Sequence, residues 1–445
     1  MLPDLFDAHL PTIPSSSTPD PPYLPSRVVM NANTAFLPLH PNSREIRCVL
    51  LLPGSGNDPT ACELVYTNID EGSDTRVPYT ALSYCWGNVE DAVEIDLHGP
   101  STRIPGAYQA PISTRFRITR NLHVALHALR DESKQCLWID AVCINQQDLR
   151  EKTHQVQLMG KIYSSAEFVL VWLGPEDKYS RCLLRAWTAH VHPLTKGLGL
   201  KSVGSLRNQI HDTSHPLWVN MAQDEVLNQL ALELDSKWTQ NSSPHRYRKA
   251  MRVSFNGLLH RPWWSRLWVV QEVLLAPKRE GGSGKVEFRI GDKKLHWQDI
   301  LHINLLNAVL PRSLLEAMLQ HIPLFNREIQ ASWKSLFIRD GFNMEHNIKY
   351  LLMFTMRFHA SDPRDKFFAL LLLASDTREC FRQEPLICPD YTKSTKAVFD
   401  DLVRWKPTLR GTWIWVKGRG FVELTGDSDW SEPSDIFQEL PFLHE

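Results

Sequence analysis

The amino-acid sequence predicts an α/β fold, a mostly parallel central sheet flanked by helices, followed by a largely helical C-terminal region. Residues 136–144 and 168–173 are nearly unbroken apolar runs, which is typical of parallel strands buried on both faces. Between them a stripe of apolar side chains at helical spacing predicts a helix over 149–163. Strand, helix and strand in this order make a βαβ unit, whose two strands run in parallel.

The remaining elements follow from the same periodicities and from end signals. Strands are predicted at 45–52, 62–68, 80–84 and 285–290, with small hairpins around 93–97 and at 412–424. Further helices are predicted at 121–131, 262–275, 362–374 and 395–405. Asn121 is placed to cap the first of these, and Pro262 suits the first turn of the second. Asp148 and Glu151 have the spacing of a capping box for the 149–163 helix.

Composition shifts divide the chain into three parts. Residues 1–43 hold nine prolines with Ser and Thr between them, which predicts an extended or disordered leader. A domain over 44–295 follows, with its core motifs in 79–276 and a polar insertion at 176–250. Residues 296–445 are predicted to be mostly helical and to end in the terminal hairpin.

Bulk properties restrict the class of protein. The hydrophobic content of 43% and the charged content of 22% are ordinary for a soluble globular chain. A net charge of −1 gives no reason to expect a nucleic acid as partner. The eight cysteines include no CxxC pair, and neither a signal peptide nor a membrane-spanning run is visible. We therefore expect a cytoplasmic protein without membrane contact.

Three segments hold the residues that suggest a function: 79–87 (YTALSYCWG), 137–174 and 261–276 (RPWWSRLWVVQEVLLA). Each places Trp, Gly or ionisable residues at the edge of an apolar run. In an open α/β sheet such strand ends form the ligand pockets, so we expect these segments to meet at one edge. The candidate ligand-binding residues there are Tyr84, Trp86, Gly87, Asp140, Asn145 and Trp268.

Glu272 is the candidate catalytic residue. On the predicted helix it shares a face with Val269 and lies one turn after Trp268. A carboxylate in such apolar surroundings has a raised pKa unless a donor or a cation faces it. Arg266 lies nearly on the opposite side of that helix and is not expected to be its partner. The alternative is that Glu272 pairs with an Arg from elsewhere and only holds the domain together.

Nucleophile and metal chemistry are disfavoured. Asp140, Cys143 and His154 suggest a Cys–His–Asp arrangement, but alternation along a strand would direct Asp140 and Cys143 to opposite faces. Cys136, Cys143 and His154 include no short-spaced ligand pair, so we expect no metal. The basic run at 245–249 is interpreted as a solvated linker rather than a nucleic-acid contact.

Taken together, the three segments resemble the fungal heterokaryon incompatibility (HET) domain, in the right order and at plausible spacing. Segments 362–374 and 389–405 resemble what commonly follows such a domain. The resemblance implies a factor in fungal non-self recognition that triggers growth arrest or programmed cell death. Its implied partners are further copies of itself or other incompatibility and signalling proteins.

HET domains are distantly similar to Toll/interleukin-receptor (TIR) domains, so the resemblance implies a TIR/flavodoxin-like sheet. It also implies two competing mechanisms. The first is a TIR-like signalling and interaction module that requires no cofactor. The second is an NAD glycohydrolase with Glu272 as its carboxylate, which would stabilise the ribosyl cation left when nicotinamide departs. Trp86 or Trp268 would then stack on a ring of NAD. The sequence holds no GxGxxG dinucleotide fingerprint, which favours the signalling module, whereas the layout of Trp268 and Glu272 favours the glycohydrolase.

Overall fold

The computed structural model describes residues 36–40, 43–70, 72–99, 112–130, 133–191, 223–225, 229, 244–278, 285–296, 347–356, 358–378, 387–410, 413–416 and 420–423. Most of the predicted leader and insertion, and much of 296–445, lie outside the described residues. Those predictions therefore stay predictions.

Nine strands of the described chain form one sheet, in the order β5-β4-β2-β1-β6-β3-β7-β8-β9. In chain order the strands are β1 (Glu45–Leu51), β2 (Ala61–Asn68), β3 (Thr80–Tyr84), β4 (Ala92–Gly99), β5 (Ile112–Thr119), β6 (Gln135–Trp138), β7 (Val169–Trp172), β8 (Val286–Ile290) and β9 (Lys293–His296). A separate antiparallel hairpin joins β10 (Trp413–Val416) to β11 (Gly420–Glu423). The fold class is α/β, as the sequence predicts.

The sheet is mixed, so the prediction of a mostly parallel sheet is wrong. Only β6, β3, β7 and β8 form a continuous parallel block; β2 and β4 also pair in parallel, but β1 separates them from that block. β1 pairs antiparallel with both β2 and β6, and β4–β5 and β8–β9 are antiparallel hairpins. The pattern of apolar side chains predicts where strands lie but not their direction, because parallel and antiparallel pairing can bury the same side chains.

Helices cover the sheet and build the C-terminal region. Those with described bounds are α1 (Arg120–Leu129), α2 (Asp140–Cys143), α3 (Leu149–Ser165), α4 (Lys178–Ala186), α5 (Pro244–Leu259), α6 (Trp268–Leu274), α7 (Ile348–Phe354), α8 (Asp365–Leu371), α9 (Ser375–Arg378) and α10 (Thr395–Trp405). No helix within the described ranges is long and apolar enough to cross a membrane. Thr119, not Asn121, caps α1, by accepting a hydrogen bond from the Leu122 amide.

The predicted strand over 136–144 ends early, at Trp138. Asp140 begins the helical turn α2, in which the amides of Val142 and Cys143 both donate to the Ile139 carbonyl oxygen. A short apolar run suits a buried strand and a buried helical turn equally well, so periodicity could not separate the two. Asp140 therefore follows the end of β6 instead of lying inside a strand.

The predicted helix over 262–275 consists of two pieces. A 3-10 turn spans Pro262–Ser265, and α6 begins at Trp268. Between them Arg266 is extended, with φ −73° and ψ 138°. The Leu267 amide donates to the His359 carbonyl oxygen at 2.9 Å and the His359 amide to the Ser265 carbonyl oxygen at 2.6 Å, so a distant segment interrupts the helix.

Replacing Trp172 by Ala should lower the free energy of unfolding by about 3–5 kcal/mol. Trp172 ends the wholly buried strand β7 and is 1% exposed, so the truncation leaves a cavity in the sheet. Leu149→Ala is the matched surface control, because Leu149 is 48% exposed. Urea unfolding followed by circular dichroism measures both, and equal midpoints for the two variants would show that β7 does not lie in the core.

Candidate functional site

The parallel block of the sheet brings the ends of two motif segments together. β3 lies between β6 and β7, and parallel neighbours end at the same edge. Trp86 follows the end of β3, and Asp140 follows the end of β6. Side chains from residues 79–87 and from residues 137–174 therefore meet at the carboxyl edge of the sheet.

A hydrogen bond joins Trp86 to Asp140 at this edge. The Trp86 indole Nε1 donates to Asp140 Oδ2 at 2.8 Å, and the Ala141 amide donates to Oδ1 at 2.8 Å. Burial raises the pKa of Asp140, while nearby Arg266 and the Trp86 bond oppose that rise. Tyr84 is buried beside this carboxylate, and burial followed by the charge of Asp140 raises the pKa of its hydroxyl.

Glu272 lies at the end of a buried chain of polar groups. The Trp263 indole Nε1 donates to Ser83 Oγ at 2.8 Å, and Ser83 Oγ donates to Glu272 Oε2. Ser83 is 1% exposed and Glu272 is 2% exposed, so water contributes little to satisfying this carboxyl. The sequence reasoning missed Ser83 and Trp263; the signal available was a serine inside a wholly buried motif strand.

Burial raises the pKa of Glu272 to about 7. Arg266 and the Ser83 hydrogen bond lower this pKa, and the neighbouring charge of Asp140 raises it. The carboxyl therefore changes protonation near neutral pH, as general acids and bases in active sites do.

The charge of Arg266 acts on both carboxylates, although no hydrogen bond or ion pair in the described part of the chain joins Arg266 to Glu272. Burial opposes its charge, yet Glu272 and then Asp140 raise the pKa of its guanidinium. The break before α6 is consistent with this influence, because an unbroken helix would direct Arg266 away from Glu272. Arg266 comes from the same motif segment as Glu272 and lies close to both acids.

Trp268, Asn145 and Gly87 serve the scaffold in this structure. Burial raises the pKa of the Asp365 carboxyl of α8, and the nearby Trp268 indole lowers it. The Asn145 amide donates to Glu151 Oε1 at 2.7 Å, which fixes the loop after α2. Gly87 has a φ of +78°, a conformation that side chains other than glycine rarely adopt, so backbone geometry accounts for it.

The nucleophile and metal alternatives gain no support from the geometry. Cys143 is buried, its Sγ accepts the Ile139 amide at 3.3 Å, and burial raises the pKa of its thiol. A reactive cysteine needs the opposite shift. Over the described part of the chain, no three His, Cys, Asp or Glu side chains are placed to hold a metal ion.

Comparison with known proteins identifies the domain that holds this site. Residues 79–272 match the family model described as heterokaryon incompatibility protein (HET). The chain carries a HET domain. It is also 29% identical over 336 residues to heterokaryon incompatibility protein 6, OR allele, of Neurospora crassa, in an alignment covering 71% of this chain and 45% of that protein. The chain thus spans less than half the length of this relative, and no solved structure matches it.

The HET match begins at Tyr79 and ends at Glu272, so it encloses every side chain of the candidate site. The members are Ser83, Tyr84, Trp86, Asp140, Trp263, Arg266 and Glu272. The first motif supplies two hydroxyls and an indole, the second a carboxylate, and the third an indole, a guanidinium and a carboxylate. All three HET motifs therefore contribute to one polar cluster.

The parent protein should lose stability as the pH rises from 4.5 to about 7, and Glu272→Gln should abolish this loss. The pKa of Glu272 rises from 4.5 when unfolded to about 7 when folded, so over this range the folded state holds a proton that the unfolded state releases. Stability then falls as pH rises, by on the order of 3 kcal/mol for this one carboxyl. Urea midpoints at pH 5 and pH 8 measure the change, and an unaltered pH dependence in the variant would contradict the assignment.

Proposed function

We propose that this chain is a heterokaryon incompatibility factor, which acts in fungal non-self recognition and triggers growth arrest or regulated cell death through its HET domain. The observation that carries the proposal is the HET match over residues 79–272. The similarity to a Neurospora crassa protein named for heterokaryon incompatibility supports the same role. We place the action in the cytoplasm.

The HET domain acts as a TIR-like signalling module. The parallel block consists of four strands, which lie side by side in the order β6-β3-β7-β8. When these four are numbered by their order along the chain, the spatial order is 2-1-3-4. This is the strand order of flavodoxin-like sheets, and it supports a TIR-like core to which antiparallel strands have been added. Such a module self-associates or binds other incompatibility proteins and requires no cofactor.

The second candidate function is cleavage of NAD, and the buried cluster around Glu272 favours it. Burial raises the pKa of both Glu272 and Asp140, and groups with perturbed pKa values concentrate at catalytic sites. In the reaction, the bond between ribose C1′ and the nicotinamide nitrogen breaks, and its electron pair leaves with nicotinamide. Water then adds its hydroxyl to C1′ and releases a proton.

Glu272 would stabilise the ribosyl cation in that reaction, and Trp86 would stack on a ring of the substrate. Trp86 is only partly buried, whereas Glu272 is 2% exposed. The sheet edge must therefore open for a substrate to reach the carboxylate. Self-association of the module would be a means of opening it.

One pair of measurements separates these functions. In the first, the chain is expressed from an inducible promoter in a filamentous fungus, and growth is scored. In the second, the purified protein, either dilute or artificially clustered, is incubated with NAD, and free nicotinamide is quantified. Growth arrest without nicotinamide release supports the signalling module. Arrest with release supports the glycohydrolase, and normal growth on full expression contradicts both.

A further inference from the structure

We propose that the candidate site is completed by the C-terminal region, in which the backbone of His359 holds Arg266 toward Glu272 and Asp140. His359 lies well beyond the last residue of the HET match, Glu272. The proposal rests on contacts within the chain and does not depend on either proposed function. It makes His359 a positioning residue for the site.

The pairing of the two segments is a short parallel bridge between Arg266 and His359. The His359 amide donates to the Ser265 carbonyl oxygen at 2.6 Å, and the Leu267 amide donates to the His359 carbonyl oxygen at 2.9 Å. Both bonds are available only while residue 266 is extended, which is the conformation that separates the 3-10 turn from α6. The bridge therefore stabilises the extended backbone conformation of Arg266, which sets the direction in which its side chain leaves the backbone.

A buried lysine fixes the segment that carries His359. Lys366 Nζ donates to the Met356 carbonyl oxygen at 3.1 Å and also to the Phe358 carbonyl oxygen. Lys366 is 3% exposed, Phe358 is fully buried, and burial lowers the pKa of the lysine to about 7. A group this costly to bury is expected where it holds a particular backbone geometry.

Helix α8 fastens the same C-terminal region to the helix that carries Glu272. The Gln271 amide, oriented so that both its ends are bonded, donates to the Ala369 carbonyl oxygen at 3.0 Å and accepts the Gly160 amide at 3.2 Å. One turn earlier, the Trp268 indole lies near Asp365 of α8. Gln271 and Trp268 both lie in the part of α6 that precedes Glu272, so α8 helps to hold the helix that carries Glu272.

The consequence is measurable as the pKa of Glu272, because Arg266 lowers that pKa. The other groups that act on Glu272 are Ser83, Tyr163 and Asp140. Under the proposal, loosening the bridge acts on Glu272 through Arg266, so the loss of the guanidinium should remove the effect. A merely structural role of His359 would change stability and leave this pKa unaltered.

The test compares His359→Pro with His359→Ala in the full chain. Proline lacks the amide that donates to Ser265, whereas alanine keeps the backbone and removes only the imidazole. Proteins labelled with ¹³C at the glutamate carboxyls are titrated by NMR, and Glu272→Gln identifies the Glu272 signal. Arg266→Met gives the full effect of losing the guanidinium, expected to be a rise of about one pH unit in the pKa of Glu272.

We expect His359→Pro to raise the pKa of Glu272 as Arg266→Met does, His359→Ala to match the parent, and His359→Pro to add nothing in the Arg266→Met background. A folded His359→Pro protein with the parent's Glu272 pKa would overturn the proposal, as would equal shifts in the Pro and Ala variants. If the proline variant does not fold, Lys366→Met, which releases the Phe358 carbonyl, takes its place with the same expectations.

Discussion

Replacing Arg47 by Met is expected to lower the free energy of unfolding by about 3–5 kcal/mol, because it leaves a buried carboxylate without its partner. Arg47 lies on β1 with its side chain fully buried, and the side chain of Glu151 is 10% exposed. The two guanidinium Nη atoms donate to Glu151 Oε1 and Oε2 at 2.5 and 2.9 Å. Nη1 and Nη2 also donate to the carbonyl oxygens of Cys143 and Leu37.

Arg44→Met is the matched control for Arg47→Met. Arg44 lies three residues earlier and also pairs with a carboxylate, Asp70, but the two side chains are 56% and 44% exposed. An exposed pair contributes about 0–1 kcal/mol, so this variant should unfold almost like the parent. Urea unfolding at pH 7 measures both. Similar losses in the two variants would mean that burial does not set the strength of the Arg47 pair.

The Arg47–Glu151 pair also shows where the sequence reading of a motif was wrong. Asp148 and Glu151 have the spacing of a capping box, and Asp148 does cap α3 by accepting the amides of Arg150 and Glu151. The Glu151 carboxylate instead binds Arg47 and the Asn145 amide. A capping box uses only local residues, whereas a buried arginine from β1 is a stronger partner that the local spacing could not reveal.

The strands of the HET core could be predicted because their signals are local. The five buried residues of β3 and the four of β7 read as apolar runs whatever their partners are. The direction of β1 and β5 could not be read, because strand pairing is decided by turns and by distant neighbours. The same limit applies at residues 139–143, where a buried turn has the composition of a strand.

The candidate site was predictable only where it depends on strand ends. Trp86 and Asp140 follow adjacent parallel strands, so their meeting follows from the sheet order once the strands are placed. The influence of the Arg266 charge on Glu272 was not predicted, because the backbone position of residue 266 depends on a bridge to His359. The hydrogen bond between Ser83 and Glu272 depends on how α6 packs against β3, which no local pattern reports.

Under the glycohydrolase hypothesis, Glu272→Gln should reduce nicotinamide release by about 100-fold or more, with little change in KM. Glutamine keeps the shape of the side chain and can still accept the hydrogen bond from Ser83. It cannot carry the negative charge that stabilises the ribosyl cation, so the loss appears in the transition state and not in substrate binding. Growth arrest caused by the chain should disappear together with the activity.

Glu287→Gln is the control for this chemistry. Glu287 lies on β8 and pairs with Arg289 at 3.0 Å, outside the cluster around Glu272, so it should retain activity and growth arrest. Circular dichroism and the urea midpoint establish that both variants are folded, and Glu272→Gln should then be at least as stable as the parent at pH 8. If the folded Glu272→Gln protein still arrests growth fully, or the clustered parent releases no nicotinamide, the glycohydrolase hypothesis is wrong. In that case Glu272 and Arg266 serve the architecture of a signalling module, and variants on the module's surface, rather than at this site, should abolish growth arrest.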